Sequence, residues 1–411
     1  MNDLEKRKKA NFILTLGTLF NMSIGVLYTW GELKKILERA TEDGGWGWTA
    51  PEAGLPFSLA IVFFAIGVLI GGRIQDKKGP RWVVTVGGFM VGLGLILSSV
   101  VAPSPIGIAL CFGVITGLGI GLGYSSVTPP ALKWFHPSKK GLVNGFTVGG
   151  FGFAAIFYAP LMAKLLDNHS DNIESTLLYM GIAVMIISVT VAQFIKNPPT
   201  GYVPVEPNNL KQKAIKPSID FTWTEMIKTK RFYLICSLFL FSTTVGMMLI
   251  QNVSSIATEL KLSITTAYLV SLLALMNGLG RLFGGILSDK IGRTNTLFLV
   301  LVVQMFNMVG FIFYTDIAGI IIGIIFAGLC FGTLMTVFPA MTADQFGLKN
   351  YGVNYGIVYL FWGLAGLVAP VIANQVLQTQ GDFKNAFIIC AAMMPILILV
   401  NFILKREMGK V

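Results

Sequence analysis

Charge is what this chain has least of. Asp, Glu, Lys and Arg make up only 12% of its 411 residues, about half the share usual in a soluble domain. Cysteine is scarce as well. Cys111, Cys236, Cys330 and Cys390 all lie in apolar runs, without CxxC or other metal-ligand spacing, which argues against a disulfide framework and a metal centre. The two histidines, His136 and His169, fall between apolar segments and make no metal site. No Walker loop is present, so ATP-driven chemistry has no support. The glycine pattern Gly117-x-Gly119-x-Gly121 sits within an apolar stretch, where it reads as helix packing and not as a dinucleotide loop. Neither a cofactor nor an enzymatic activity is therefore expected.

What the chain has instead is apolar sequence in long blocks. Hydrophobic residues make up 54%, and there are 46 glycines. Crossing a bilayer core takes a helix of about 20 apolar residues. That rule predicts an all-α membrane protein with twelve transmembrane helices, at 11–30, 54–72, 82–101, 105–128, 142–165, 175–195, 232–252, 263–287, 295–314, 317–340, 352–376 and 385–404. The basic segment before the first span lacks a clean cleavage site downstream, so that span is expected to stay as a helix and not to be a removed signal peptide. The longest polar stretch, Lys196 to Arg231, carries Pro198, Pro199, Pro204, Pro207 and Pro217 and cannot enter lipid. It divides the chain into a first six-helix bundle (1–195), a linker (196–231) and a second six-helix bundle (232–411). Within the linker, Phe221 to Lys230 is expected to form a short surface helix with Asp220 as its N-cap.

The net charge of +11 would suggest nucleic acid in a soluble protein. In a polytopic membrane protein it reflects Lys and Arg gathered in cytoplasmic loops, so no nucleic-acid partner is expected. Lys6, Arg7, Lys8, Lys9, Arg73, Lys77, Lys78, Arg81, Lys133, Lys139, Lys140, Lys290, Arg293, Lys349, Lys405, Arg406 and Lys410 fall on one side of the predicted spans. Only Lys34, Lys35, Arg39, Lys164, Lys261 and Lys384 fall on the other. Both termini are therefore expected in the cytoplasm, with the chain in the cell membrane.

An internal repeat supports two halves. Gly71-Gly72 is followed by Asp76-Lys77-Lys78-Gly79 and Arg81; Gly284-Gly285 is followed by Asp289-Lys290-Ile291-Gly292 and Arg293. The two copies fall after the second and the eighth helix. Their glycines suit close helix contact and tight turns. Asp76 and Asp289 can pair with a base or cap a neighbouring helix N-terminus across the interface, so Asp76, Arg81, Asp289 and Arg293 are candidate conformational-loop residues.

These paired loops resemble the signature of the major facilitator superfamily. Trp134-Phe135-His136-Pro137-Ser138-Lys139-Lys140-Gly141-Leu142, Asn277-Gly278-Leu279-Gly280-Arg281, Val337-Phe338-Pro339 and Asn354-Tyr355-Gly356 are similar to stretches of its oxalate/formate antiporter family, which is related to the monocarboxylate transporters. The resemblance implies two six-helix bundles around a central cavity, alternating access, and a small carboxylate substrate. It also implies that Tyr28, Tyr124, Phe151 and Phe331 occupy aromatic cavity positions, and that Tyr359 stands where that family has Trp. For each of these aromatics, ordinary helix packing is the alternative.

Arg281 stands out without the resemblance. It lies eight residues before Asp289, so about 12 Å inside the span at 1.5 Å per residue. An Arg at that depth must face a cavity or a partner. No Asp or Glu within the spans is an evident partner, and a guanidinium fork can hold a carboxylate through two parallel hydrogen bonds. The alternatives are snorkelling or a contact between helices. Asn277, one turn earlier, can orient the Arg or bond the substrate; monocarboxylate transporters of animals have a proton-handling Asp at the similar place. The oxalate carriers of the resembled family have a second buried base in helix eleven, where this chain has Trp362. With one cation, a monocarboxylate such as lactate, pyruvate, formate or acetate is favoured over a dicarboxylate. An oxalate/formate-type antiporter and a non-transporting sensor of the same fold are the alternatives, the sensor disfavoured because no signalling domain is appended. Coupling stays open between proton symport, entry as the neutral acid, and exchange against a counter-anion. Glu32 is the acid nearest to the first span. Pro129-Pro130, Pro160 and Pro370 suit either gating kinks or static ones. A monomer is expected.

Overall fold

The protein, seen here as a computed structural model, is described over residues 2–168, 172–205, 220–259, 266–380 and 383–409. Several sequence expectations fall outside what is described: His169, most of the linker (206–219), Lys261, Lys410, and the side chains of Tyr28, Glu32, Pro160 and Pro370.

Among the described residues, twelve helices are long and apolar enough to cross a membrane. They are α1 (Asp3–Ser23), α2 (Ala50–Lys78), α3 (Pro80–Val101), α4 (Pro105–Trp134), α5 (Lys140–Asn168), α6 (Ile173–Ala192), α7 (Lys230–Glu259), α8 (Thr266–Ile291), α9 (Arg293–Phe313), α10 (Ile317–Phe346), α11 (Tyr351–Gln380) and α12 (Lys384–Met408). Their starts follow local sequence. Asn2 with Glu5 and Thr49 with Glu52 form capping boxes for α1 and α2, and Asp316 accepts from the Gly319 N–H at the head of α10. Such side chains satisfy amide donors that have no partner within the helix. Gly79 and Gly292, the glycines of the repeated loops, have φ of +84° and +91°, a region that side chains with a Cβ rarely enter. This lets the chain turn at once into α3 and α9.

Three local expectations are corrected. The first span does not run on to residue 30: α1 ends at Ser23, and a 3-10 turn, Gly25–Thr29, leads into a further helix, Trp30–Glu38. Trp30 opens this helix, buried against Phe112 at 4.5 Å and donating its indole N–H to the Ala53 carbonyl at 2.9 Å. The linker helix is only Trp223–Met226, and its N-cap is Thr222, paired with Glu225 in a capping box. The Thr222 amide and hydroxyl hold the Glu225 carboxyl below the usual range. Asp220 instead receives the Leu348 and Lys349 amides ahead of α11, at 3.0 and 3.1 Å. The Thr-x-x-Glu spacing offers two reciprocal bonds, so it outcompetes a lone Asp.

Helices α1–α6 and α7–α12 form two six-helix bundles. They meet along two seams, α2 against α11 and α5 against α8. Each seam has a point where glycine backbones touch. A methyl at Gly72 would collide with the Gly352 carbonyl, and one at Gly285 with the Gly141 carbonyl. Both crossings lie at the end of the molecule where the termini and most Lys and Arg residues lie, here called the basic face.

Candidate functional site

The repeat carboxylates lock both seams at the basic face. Asp289, at the end of α8, accepts the Gly141 and Leu142 amides at the head of α5, both at 2.9 Å. Asp76, at the end of α2, accepts the Gly352 and Val353 amides at the head of α11, at 3.3 and 3.1 Å. Each carboxylate thus sits on the partially positive N-terminus of a helix from the opposite bundle.

The arginines of the two copies behave differently. Arg293 contacts Asp289 at 2.6 Å and Asp344 of α10 at 2.8 Å, and Asp344 also receives Lys140 of the other bundle at 2.9 Å. Arg81 turns away from Asp76 and holds the Gln193 side chain at 2.9–3.1 Å, within its own bundle. The α5–α8 seam therefore carries a chain of ion pairs. Among the described residues the Asp76 contacts in the α2–α11 seam are with backbone amides.

Further into the molecule lies Arg281, one of its largest fully buried side chains at 2% exposure. Its Nε donates to Asn277 Oδ1 at 3.0 Å, and one Nη crosses to the Val148 carbonyl of α5 at 2.8 Å. The guanidinium carbon stands 5.9 Å from the centre of the Phe151 ring, within cation–π range. Gly152 lets the side chain pass, since a Cβ there would stand 3.2 Å from Arg281 Nε. Thus Arg281 neither snorkels nor stays within its own bundle; it bridges the halves.

Around it the aromatics meet. Tyr124 and Phe151 approach at 5.6 Å, Tyr124 and Tyr359 at 5.7 Å, and Tyr359 and Trp362 at 4.7 Å. Phe331 joins Phe151 and Trp362 in lining a small cavity of about 20 Å³. Such edge-to-face and tilted contacts bring apolar area and quadrupole attraction together. Among the described residues, the Trp362 indole N–H and the Tyr355 hydroxyl are buried here without a hydrogen-bond partner.

Two members of this group escaped sequence reasoning. Phe64 is the hub, within 5.2–5.5 Å of Tyr124, Phe151, Tyr359 and Trp362. Tyr355 lies between Tyr351 and Tyr359, 5.5 Å from each, so three tyrosines rise along one face of α11. The repeat held the signal for Phe64. It precedes Asp76 by twelve residues, as Asn277 precedes Asp289. In the same register Val68 takes the place of Arg281, so the repeat does not extend to this cation.

Comparison with known proteins agrees with this architecture. The chain is 28% identical over 387 residues to the oxalate:formate antiporter of Oxalobacter formigenes, spanning 92% of this chain and 88% of that one. It is 26% identical over 366 residues to the uncharacterized MFS-type transporter YhjX of Escherichia coli, spanning 88% and 87%. Its fold is similar to that of the Escherichia coli fucose:proton symporter FucP, solved in the outward conformation, with a TM-score of 0.67 and 14% identity over 96% of this chain and 98% of that one. The Major Facilitator Superfamily itself matches residues 11–337 and 256–410. The chain is a multi-pass membrane protein that belongs to the Major Facilitator Superfamily of transporters.

Proposed function

We propose that this protein is a secondary carrier of a small monocarboxylate, with Arg281 binding the carboxylate group. One observation carries the reading: a fully buried guanidinium spans the two bundles inside an aromatic enclosure. Burying a charge is costly without compensation, and a planar fork matches a carboxylate in geometry and charge. Asn277 steadies the fork. Tyr124, Phe151, Phe331, Tyr359 and Trp362, with Phe64, form a sleeve suited to a solute of a few carbon atoms; Tyr28 is proposed with them from its place in the resembled family. Similarity to the oxalate:formate antiporter supports the carboxylate class. Trp362, in place of a second base, supports one carboxylate over two.

In this reading the basic face is cytoplasmic, by the bias of Lys and Arg. The chain sits in the cell membrane as a monomer, its bundles at 1–195 and 232–411 joined by a cytoplasmic linker. Asp76, Arg81, Asp289 and Arg293 govern closure of that face, and access alternates by rocking of the bundles.

The test is uptake by proteoliposomes of labelled lactate, pyruvate, formate, acetate and oxalate, with Arg281→Lys beside the native chain. Uptake of at least one monocarboxylate, lost in the variant while its elution and thermal unfolding persist, is the expected result. Unchanged uptake by Arg281→Lys overturns the anion-site role, and a preference for oxalate overturns the single-carboxylate reading. An imposed pH gradient separates symport from exchange, because only proton-coupled entry is stimulated by it.

A further inference from the structure

A second concave site lies at the basic face, on the first bundle. It is a cavity of about 360 Å³ built from α1, the loop between α4 and α5, and the start of the linker. The first turns of α1 supply Lys6 and Arg7. The loop between α4 and α5 supplies His136 and Lys139. Trp134 and Tyr202 supply the floor.

The floor is rigid. Tyr202 packs edge-on against Trp134 at 4.7 Å and donates its hydroxyl to the Trp134 carbonyl at 3.1 Å. The Trp134 indole N–H donates to the Lys196 carbonyl at 3.0 Å. Lys6 stands 5.9 Å over the Tyr202 ring. His136 is fixed by its contact with Ser138, 2.9 Å from Nδ1. Among the described residues no acid lines the cavity. Asp3, 3.8 Å from Lys6, does not line the cavity and is 74% exposed.

A solvated basic loop needs no such floor. Here three cations and an imidazole line one cavity together with two aromatic rings, at the end of the molecule where the helices finish. We infer that this cavity binds a phosphate-bearing anion, its phosphate held by Lys6, Arg7 and Lys139 and its apolar part resting on Trp134 and Tyr202. Lys and Arg donors suit phosphate oxygens, and basic pockets on the cytoplasmic side of membrane proteins favour anionic headgroups. A phospholipid of the adjoining leaflet and a free phosphate compound share this chemistry.

Binding is measured as the shift in unfolding temperature of the full-length protein in phosphatidylcholine nanodiscs. One arm includes phosphatidylglycerol in the disc, and a second adds inorganic phosphate to neutral discs. Both are repeated with a K6Q/R7Q/K139Q variant. The native chain is expected to be stabilised in at least one arm, with the apparent affinity weakened about tenfold or more in the variant. A shift with phosphatidylglycerol alone assigns the site to a lipid headgroup, and a shift with both assigns it to phosphate as such. Absence of any shift, or an equal shift in the variant, overturns the inference. The variant's unfolding temperature in neutral discs verifies that it folds; if it does not, the single variants Lys6→Gln and Lys139→Gln carry the same comparison. The readout is binding and not uptake, so it is independent of the role of Arg281.

Discussion

Arg281 on α8 donates a 2.8 Å hydrogen bond to the carbonyl oxygen of Val148 on α5, so a buried cation of one bundle is anchored on the backbone of the other. Any rocking that separates α5 from α8 at this depth must break that bond. A bound carboxylate that replaces the carbonyl as acceptor would lower the cost of the movement. In the proposed function, binding and conformational exchange would thereby be linked through one side chain.

Asn277 tests how that side chain is tuned. Asn277→Ala removes the 3.0 Å contact to Nε and is expected to raise KM about tenfold, the usual effect of losing one hydrogen bond to a charged group. Asn277→Asp places a carboxylate beside Arg281 that competes with the substrate while ionised. Uptake by Asn277→Asp should therefore fall below that of Asn277→Ala, because the new carboxylate occupies the guanidinium fork from within the protein. Uptake by Asn277→Asp equal to that of the native chain would remove Asn277 from the site.

The seams should differ in strength. Asp289 holds two amides and the Arg293 guanidinium, whereas Asp76 holds two amides at longer distances. Asp289→Asn is expected to open the basic face more than Asp76→Asn. Charge-assisted bonds of about 1.5–3 kcal/mol each make the difference roughly tenfold in open population or more. Thiol labelling of a cysteine introduced at the seam reads it, and equal labelling in the two variants contradicts the asymmetry.

Gly285→Ala and Gly72→Ala attack the crossings directly. Each adds one methyl against a carbonyl of the facing helix, and overpacking of this kind usually destabilises by about 1–3 kcal/mol. Transport should fall in both while the protein still inserts and elutes as the native chain does. Full activity in either variant would show that the backbones need not meet during the cycle.

Trp362→Lys restores a second base to the aromatic enclosure. The ratio of oxalate to monocarboxylate uptake is expected to rise, even as total uptake falls through loss of the Tyr359 and Phe64 ring contacts. An unchanged ratio would mean that charge count does not set the preference.

Much of the scaffold was legible because lipid imposes a one-dimensional rule. Every spanning helix must be apolar for its full length, so twelve blocks could be read directly, and Arg281 stood out against them. The two aspartates were legible through repetition. What escaped depends on direction and not on type. Phe64 is one of 30 phenylalanines, and only its position on α2 aims it at four other rings. The pairing of Arg81 with Gln193 was hidden because the partner sits on α6, more than a hundred positions away. The early end of α1 was hidden because a 3-10 turn follows Ser23, a change that apolar content does not encode.

The glycine crossings carry a final consequence, in entropy. An interface of interdigitated side chains freezes rotamers each time it forms and releases them each time it parts. Where Gly72 meets Gly352 and Gly141 meets Gly285, backbone lies on backbone, and glycine has no rotamers to lose. Such a contact surface would be the same before and after each separation that the proposed cycle requires. A seam of this kind suits repeated opening and closing, because it neither waits for side chains to repack nor drifts among alternative packings.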